Sequence, residues 1–160
     1  MFDSVLNSVI STLEDEGIPA VRKYPGCVLD RSTAAVAVSL KAGSITASGY
    51  GNYMGIYEKN GDIKELYGHR AELKIGMEIY TPAAADKAEI QCTKLLNDIC
   101  SCIGGISGVK LKSFEGGEAK YDSETEMFRC ESTVEVTVYL VCNREERGRF
   151  TDFVLKGELK

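Results

Sequence analysis

Residues 70–82 read RAELKIGMEIYTP, and this stretch decides the fold of the chain. Apolar side chains occupy every second position within it, at Ala71, Leu73, Ile75, Met77 and Ile79. Alternation with a period of two is typical of a strand that has one buried face and one solvated face. Proline has no backbone N–H to donate to a sheet, so Pro82 predicts where this strand ends.

A second alternation of the same kind runs from Phe128 to Cys142. At about 3.3 Å per residue such a strand spans on the order of 50 Å, well beyond the usual five or six residues. We therefore expect it to bend or to project past the core. Shorter strands are predicted at 20–24, 34–40 and 109–114.

Two stretches have the three- and four-residue spacing of apolar side chains that indicates an amphipathic helix. The first covers residues 3–16, with Asp3 as the predicted N-cap and Gly17 as the predicted C-cap. The second covers about 83–103 and is followed by a glycine pair at 104–105. Each helix should pack its apolar face on the sheet.

Two further segments are interpreted as arms. Residues 43–68 are rich in glycine, serine and tyrosine and contain Asn60-Gly61, a dipeptide that tolerates the positive φ angles of a tight hairpin turn. Residues 143–160 are mostly polar and are expected to extend and dock elsewhere.

The predicted fold class is therefore α+β: a mostly antiparallel sheet packed by two helices, with an extended β-hairpin arm and a C-terminal arm. Residues 1–160 are expected to form one domain, in which 43–68 is a hairpin insertion and 143–160 a C-terminal extension.

The composition of the chain argues against nucleic-acid and membrane partners. The chain is 44% hydrophobic and 27% charged, a globular balance, and its net charge of −5 with a pI near 5.0 disfavours binding to a phosphate backbone. No apolar run approaches the roughly 20 residues that span a bilayer, and the N-terminus lacks the basic segment of a signal peptide. We expect synthesis in a cytoplasm and no membrane partner.

Six cysteines are present, at positions 27, 92, 100, 102, 130 and 142. Without an export signal they are interpreted as reduced, core-filling residues. Cys100 and Cys102 would point about 200° apart on a helix, which is wrong for a shared metal ion. His69 has no serine or cysteine nucleophile beside it in the sequence. We predict no catalytic, metal or cofactor site.

Several residues that the predicted core does not account for lie on the two arms. Nine of them carry apolar or aromatic side chains: Tyr50, Tyr53, Met54, Ile56, Tyr57, Phe150, Phe153, Val154 and Leu155. Tyrosine and methionine are favoured at protein interfaces, so these nine are the candidate interface with another subunit or partner. Burial against the core of the same chain is the alternative.

The order of elements resembles the tail terminator, or tail completion, proteins of long-tailed phages and related contractile bacteriocins. The matching stretches are Phe2 to Tyr24, Glu72 to Ile103 and Phe114 to Cys142. The resemblance includes the Lys23-Tyr24-Pro25 exit from the first strand and the passage from Met77 to Pro82 into the second helix.

This resemblance implies a ring, expected to be hexameric, that caps the head-proximal end of the tail tube, ends its polymerisation and joins it to the neck or collar. The implied partners are copies of the same chain, tail-tube subunits and neck or collar proteins, with sheath subunits as a further candidate. DNA would be a passing, non-specific contact. Such a protein would assemble in the bacterial cytoplasm and remain in the virion or tail-like particle.

Two other functions stay open at this point. A head-to-tail connector or a tail-tube subunit would use similar arms, whereas a small enzyme or ligand-binding domain would need a deep pocket with convergent polar groups.

Overall fold

The computed structural model describes residues 2–23, 32–47, 53–84, 87–106, 108–142 and 150–153. The elements follow in this order: α1 (Phe2–Asp15), β1 (Ala20–Arg22), β2 (Ala35–Ala47), β3 (Tyr53–Lys59), β4 (Asp62–Pro82), α2 (Ala88–Gly104), β5 (Val109–Gly116), β6 (Lys120–Asp122), β7 (Met127–Cys142) and β8 (Phe150–Phe153). These eight strands form one sheet with the main order β1-β2-β4-β7-β5, while β3 pairs with β4, and β6 and β8 pair with β7. Among the described strands the β1–β2 pair is parallel and the rest are antiparallel, which confirms the predicted fold class.

The centre of the sheet is the pair of long strands β4 and β7. β4 has 21 residues and ends at Pro82, as predicted. All 16 residues of β7 pair with β4, from Tyr67↔Cys142 to Pro82↔Met127, without a break in register. β7 therefore does not project alone past the core, because β4 accompanies it along its whole length.

Both helices begin at residues other than those predicted. α1 starts at Phe2, so Asp3 is not its N-cap and instead forms an ion pair with Arg22 of β1, with 2.7 Å between Oδ1 and a guanidinium nitrogen. α2 starts at Ala88 because β4 continues to Pro82 and the chain must then turn. The Thr81 hydroxyl donates to the Ala88 carbonyl at 3.0 Å and fixes this junction.

The C-terminal end of α1 is the one predicted. Gly17 has a φ of 79°, and its amide donates to the Glu14 carbonyl at 2.9 Å. The Ile18 amide donates to the Leu13 carbonyl, also at 2.9 Å. These two bonds are the Schellman arrangement, which needs a left-handed residue at the position of Gly17.

The core lies between the two helices and one face of the sheet. The helices bury Val5, Leu6, Val9, Leu13, Cys92, Ile99 and Ile103. The alternating strand residues of the sequence prediction meet them, including Leu73, Ile75, Ile79, Val134, Val136 and Val138. Within the described ranges, neither helix is long and apolar enough to cross a membrane.

The cysteines of the described core are packing residues. Cys92 and Cys130 are buried as unpaired thiols, whereas Cys100 and Cys102 are partly exposed. Burial, and then the neighbouring Cys130, raises the pKa of the Cys92 thiol to about 12. Burial likewise raises the pKa of Cys130, so both core thiols are protonated and unreactive at neutral pH.

The two predicted arms are both continuous with the sheet. The first part of the 43–68 segment belongs to β2, which pairs with β4 as far as Ala47↔His69. β3 then continues along the same side of β4. From the C-terminal segment, residues 150–153 form β8 and pair with the end of β7 instead of docking elsewhere.

Two β-bulges lie on either side of the central strands at one level. Lys41 is the extra residue in β2, between Leu40↔Ile75 and Ala42↔Lys74. Lys112 is the extra residue in β5, between Leu111↔Val136 and Ser113↔Glu135. Lys74 and Glu135 are themselves cross-strand partners, so both bulges border the same pair. A bulge bends its strand and increases the local twist, so the sheet bends along this line.

At Gly68, strand β4 lies close to the backbone of β7 and to the side chain of Met54 in the hairpin. A Cβ at this position would lie 2.0 Å from the Leu140 carbonyl oxygen and 2.6 Å from Sδ of Met54. Because the oxygen belongs to a paired backbone, we expect Gly68→Ala to lower the free energy of unfolding by about 2 kcal/mol or more, measured by urea denaturation.

The matched control is Gly104→Ala at the end of α2. Its Cβ would meet only the Leu111 side chain, at 4.0 Å, so the variant should be as stable as wild type or more stable by about 0.5–1 kcal/mol. Equal stability of Gly68→Ala and wild type would contradict the described packing.

Candidate subunit interface

The exposed end of the sheet is the hairpin formed by β3 and the start of β4. Its turn is the predicted Asn60-Gly61 dipeptide, with φ angles of 55° and 83°. Two consecutive positive φ angles match the twist of the flanking strands. The turn makes Glu58 the partner of Ile63, and the next pair on the same face is Ile56 with Glu65.

The inner face of this hairpin is packed at its base, whereas Asp62 and Lys64, nearer the turn on the same face, are exposed. Leu66 and Met54 are buried, and Met54 lies over Gly68. The absence of a side chain at Gly68 makes room for the thioether. Met54, a predicted interface residue, is therefore an interior residue of this chain, which is the alternative that the sequence left open.

The outer face carries two exposed isoleucines. Ile56 is 58% exposed and Ile63 is 73% exposed. They are diagonal neighbours across the strand pair, at about 7–8 Å, and Glu58 and Glu65 occupy the other diagonal. We call these four residues, Ile56, Glu58, Ile63 and Glu65, the hairpin face. It combines an apolar centre with two carboxylates.

Two tyrosines brace the base of the hairpin. The rings of Tyr53 and Tyr67 meet edge to face, with 5.8 Å between centroids and 71° between planes. The Tyr67 hydroxyl donates to Oε2 of Glu65 at 2.6 Å. This bond fixes one carboxylate of the hairpin face relative to the sheet.

The nine predicted interface residues fall into three groups. Tyr53 and Ile56 are exposed, and Met54 is buried. The backbones of Tyr57, Phe150 and Phe153 lie in β3 and β8, but their side chains are outside what the structure describes, as are Tyr50, Val154 and Leu155 altogether.

The sequence prediction missed six exposed apolar residues, of which Ile63, Ile90 and Tyr121 are more than half exposed. The position of Ile63 could have been predicted from the sequence. A two-residue turn at Asn60-Gly61 sets a register that places Ile63 opposite Glu58. Ile90 lies in the predicted second helix, and Tyr121 lies in a segment for which no element was predicted. Neither has a turn or a strand register beside it that would predict its exposure.

The face of the sheet away from the helices carries charges that are already paired. Lys74 Nζ lies 3.5 Å from Oε1 of Glu135, its cross-strand partner. Glu78 and Glu131 are direct cross-strand partners of like charge, and Arg129 binds both of them, at 2.7 Å in the case of Glu78. A like-charge pair in this position is destabilising unless it is bridged.

Glu78 is the centre of this network. Lys23 and the Tyr80 hydroxyl also donate to its carboxylate, the latter at 2.8 Å. Burial disfavours the ionised form, but the hydrogen bonds from Lys23 and Tyr80 and the charge of Arg129 outweigh it and lower the pKa of Glu78. Burial, followed by the bond to Glu78, raises the pKa of Tyr80.

Two shallow hollows lie on the described surface. One, of about 340 Å³, is lined partly by Tyr121, Asp122 and Arg129, and the other, of about 240 Å³, lies beside the bulges and includes Lys112 and Glu135. Most of their charged residues, among them Asp122, Arg129 and Glu135, take part in ion pairs or turn hydrogen bonds within this chain. Among the described residues, no three histidine, cysteine or carboxylate side chains converge as metal ligands.

Neither a scan of the chain against protein-family models nor a search of curated proteins found a match. The hairpin face and the fold itself are therefore the features from which a function is inferred.

The two faces of the hairpin should respond differently to substitution. Leu66→Ala removes buried contacts and should destabilise the hairpin by roughly 2 kcal/mol or more. Ile63→Ser changes an exposed side chain and should alter stability by less than about 0.5 kcal/mol. Amide hydrogen exchange across residues 53–67, in dilute protein, measures both effects. Faster exchange in Ile63→Ser than in Leu66→Ala would reverse the assignment of the two faces.

Glu78 should make stability depend on pH. Because its pKa is lowered in the folded chain, the ionised carboxylate stabilises the fold above its ordinary pKa of about 4.3, and this contribution is lost as pH falls through the folded-state value. Glu78→Gln should cost about 1–3 kcal/mol at pH 7, and the difference from wild type should shrink at acidic pH.

Glu115→Gln on β5 is the control, since Glu115 is exposed. Urea unfolding of the three proteins from pH 7 to pH 3 measures the effect. A constant gap between wild type and Glu78→Gln over this range would show that the carboxylate charge does not matter.

Proposed function

We propose that this chain is a ring-forming tail terminator, which caps the head-proximal end of a phage or phage-like tail tube. In this role it ends tube polymerisation and joins the tube to the neck or collar. Its partners would be further copies of itself in a hexamer, tube subunits, neck or collar proteins and sheath subunits. It would act by binding and not by breaking or forming covalent bonds.

The observation that carries the proposal is the hairpin face. Ile56 and Ile63 are exposed on a hairpin whose opposite side is buried at its base by Met54 and Leu66. Burying an isoleucine stabilises by about 1.5–3 kcal/mol relative to leaving it in water. A hairpin that presents two of them is suited to a protein that completes its packing with a neighbouring subunit.

The order of elements supports the same function. Along the chain, α1 leads into the short strand β1, and α2 follows the long strand β4 and precedes the long strand β7. This is the arrangement that the resemblance to tail terminators implies. The fold alone is compatible with other activities, so the proposal depends on the hairpin face as well.

Closed symmetry explains how such a protein would stop a growing tube. A tube subunit exposes an unsatisfied surface at the growing end, and each added ring recreates that surface. A ring that matches this end but offers a different surface on its far side leaves no site for the next tube ring. The net charge of −5 would also disfavour adhesion of DNA that passes through the ring.

Assembly of the purified chain tests this function. We expect native mass measurement and electron microscopy of one sample to show closed rings. Added to growing tubes of the tail-tube subunit from the same particle, the protein should bind one end and shorten the tubes in proportion to its concentration.

Two results would count against the proposal. A chain that remains monomeric even in the presence of tubes would remove it. Polymerisation of the chain alone into open tubes would identify a tube subunit instead.

A further inference from the structure

The exposed side of α2 carries a second surface of mixed character. Ile90, in the first turn, is 63% exposed. Lys87 precedes it by three residues and Lys94 follows it by four, and both lysines are exposed. At a spacing of four, Lys94 is a neighbour of Ile90 on the helix surface. Lys87 is the N-cap residue, with a left-handed backbone (φ 55°), and lies at the start of the helix, directly before the turn that carries Ile90. We call Lys87, Ile90 and Lys94 the helix face.

Glu89 and Gln91 do not change this character. Each is adjacent to Ile90 in sequence and therefore points about 100° away from it around the helix. The Thr93 hydroxyl, next to Lys94, donates to the Glu89 carbonyl at 3.2 Å, so it is bonded to the helix backbone. Among the described residues, the charged side chains three or four positions from Ile90 are both basic.

The helix face complements the hairpin face. One has an apolar centre with two lysines, and the other has an apolar centre with Glu58 and Glu65. Apolar centres gain by mutual burial, whereas the charges at the edge of such a contact set orientation and exclude wrong partners.

The two faces lie at opposite ends of the longest strand. The hairpin turn immediately precedes Asp62, the first residue of β4. At the other end of β4, the Thr81 hydroxyl donates to the carbonyl of Ala88, the first residue of α2. A strand of 21 residues spans roughly 70 Å, so the two faces of one copy cannot meet. A contact between them requires two copies.

We propose that the hairpin face of one copy docks on the helix face of the next copy. This contact is heterologous, because each copy uses different surfaces toward its two neighbours, and repetition with a fixed rotation closes a ring. The inference rests on the proposed terminator function and names the surfaces that would build its ring. The occupant of both faces is a second copy of this chain.

Charge reversal tests the contact directly. The hairpin variant carries Glu58→Lys and Glu65→Lys, and the helix variant carries Lys87→Glu and Lys94→Glu. Each variant alone opposes like charges at every contact, so its association constant should fall at least about tenfold and rings should be lost at the wild-type assembly concentration.

Mixing the two variants should restore assembly. In an alternating ring the basic hairpin of one variant meets the acidic helix of the other, and the next contact has the wild-type charges. Every contact then pairs opposite charges, and a ring with an even number of subunits closes. Native mass measurement should find rings that contain the two variants in equal number.

The control carries the same change in charge as the hairpin variant, at a remote place. Glu14→Lys with Asp15→Lys alters two exposed carboxylates in the last turn of α1 and should leave ring formation unchanged. Circular dichroism and thermal unfolding establish that all variants are folded before their assembly is compared.

Each outcome separates this contact from the terminator function. Rings formed by either variant alone, or no rescue by mixing folded variants, would refute the contact while leaving the function standing. A hairpin variant that forms rings but no longer caps tubes would show that the hairpin face binds the tube subunit instead. Monomeric wild-type protein, with and without tubes, would overturn the contact and the function together.

Discussion

The unbroken register between β4 and β7 is the constraint on which the rest of the structure depends. Ile75 is opposite Val134 and Ile79 is opposite Cys130, and all four side chains are buried on the helix side. A shift by one residue would move every one of them to the solvated face. Both helices can pack only where this register supplies an apolar surface.

The same register determines the electrostatics of the opposite face. It brings Glu78 and Glu131 together, an unfavourable pair that requires Arg129 as a bridge. It also places Lys74 against Glu135. The charged face is therefore a consequence of the apolar pairing on the other side. At its centre, Glu78 forms an ion pair with Arg129, and Lys74 forms one with Glu135, within this chain.

Local patterns predicted the elements whose signals lie within one segment. The alternation around Ile75 and Val136, the helical spacing of α1, the Gly17 cap and the Asn60-Gly61 turn each depend on neighbours in sequence, and the structure confirms them. Long-range features were not accessible in this way. The start of α2 depends on how far β4 is held in the sheet.

Exposure is also a property of the whole fold. Met54 and Ile56 look alike as candidates in the sequence, and plain alternation would place them on one face. Met54 is the extra residue of a β-bulge between Tyr53↔Tyr67 and Gly55↔Leu66, and it is buried whereas Ile56 is exposed. Ile90 is one apolar residue among several in α2, and only the packing of the helix leaves it in solvent. Sequence reasoning therefore found the hairpin as a region but not the set of side chains that it presents.

The two bulges at Lys41 and Lys112 bear on the dimensions of the proposed ring. Lys41 and Lys112 bend β2 and β5 at one level, beside Lys74 and Glu135, and the hairpin continues from β4 beyond that level. The bend therefore sets the angle between the hairpin and the helix-covered body. In the proposed ring that angle would set how far each subunit turns relative to the last, so the two bulges would govern the diameter of the ring's opening.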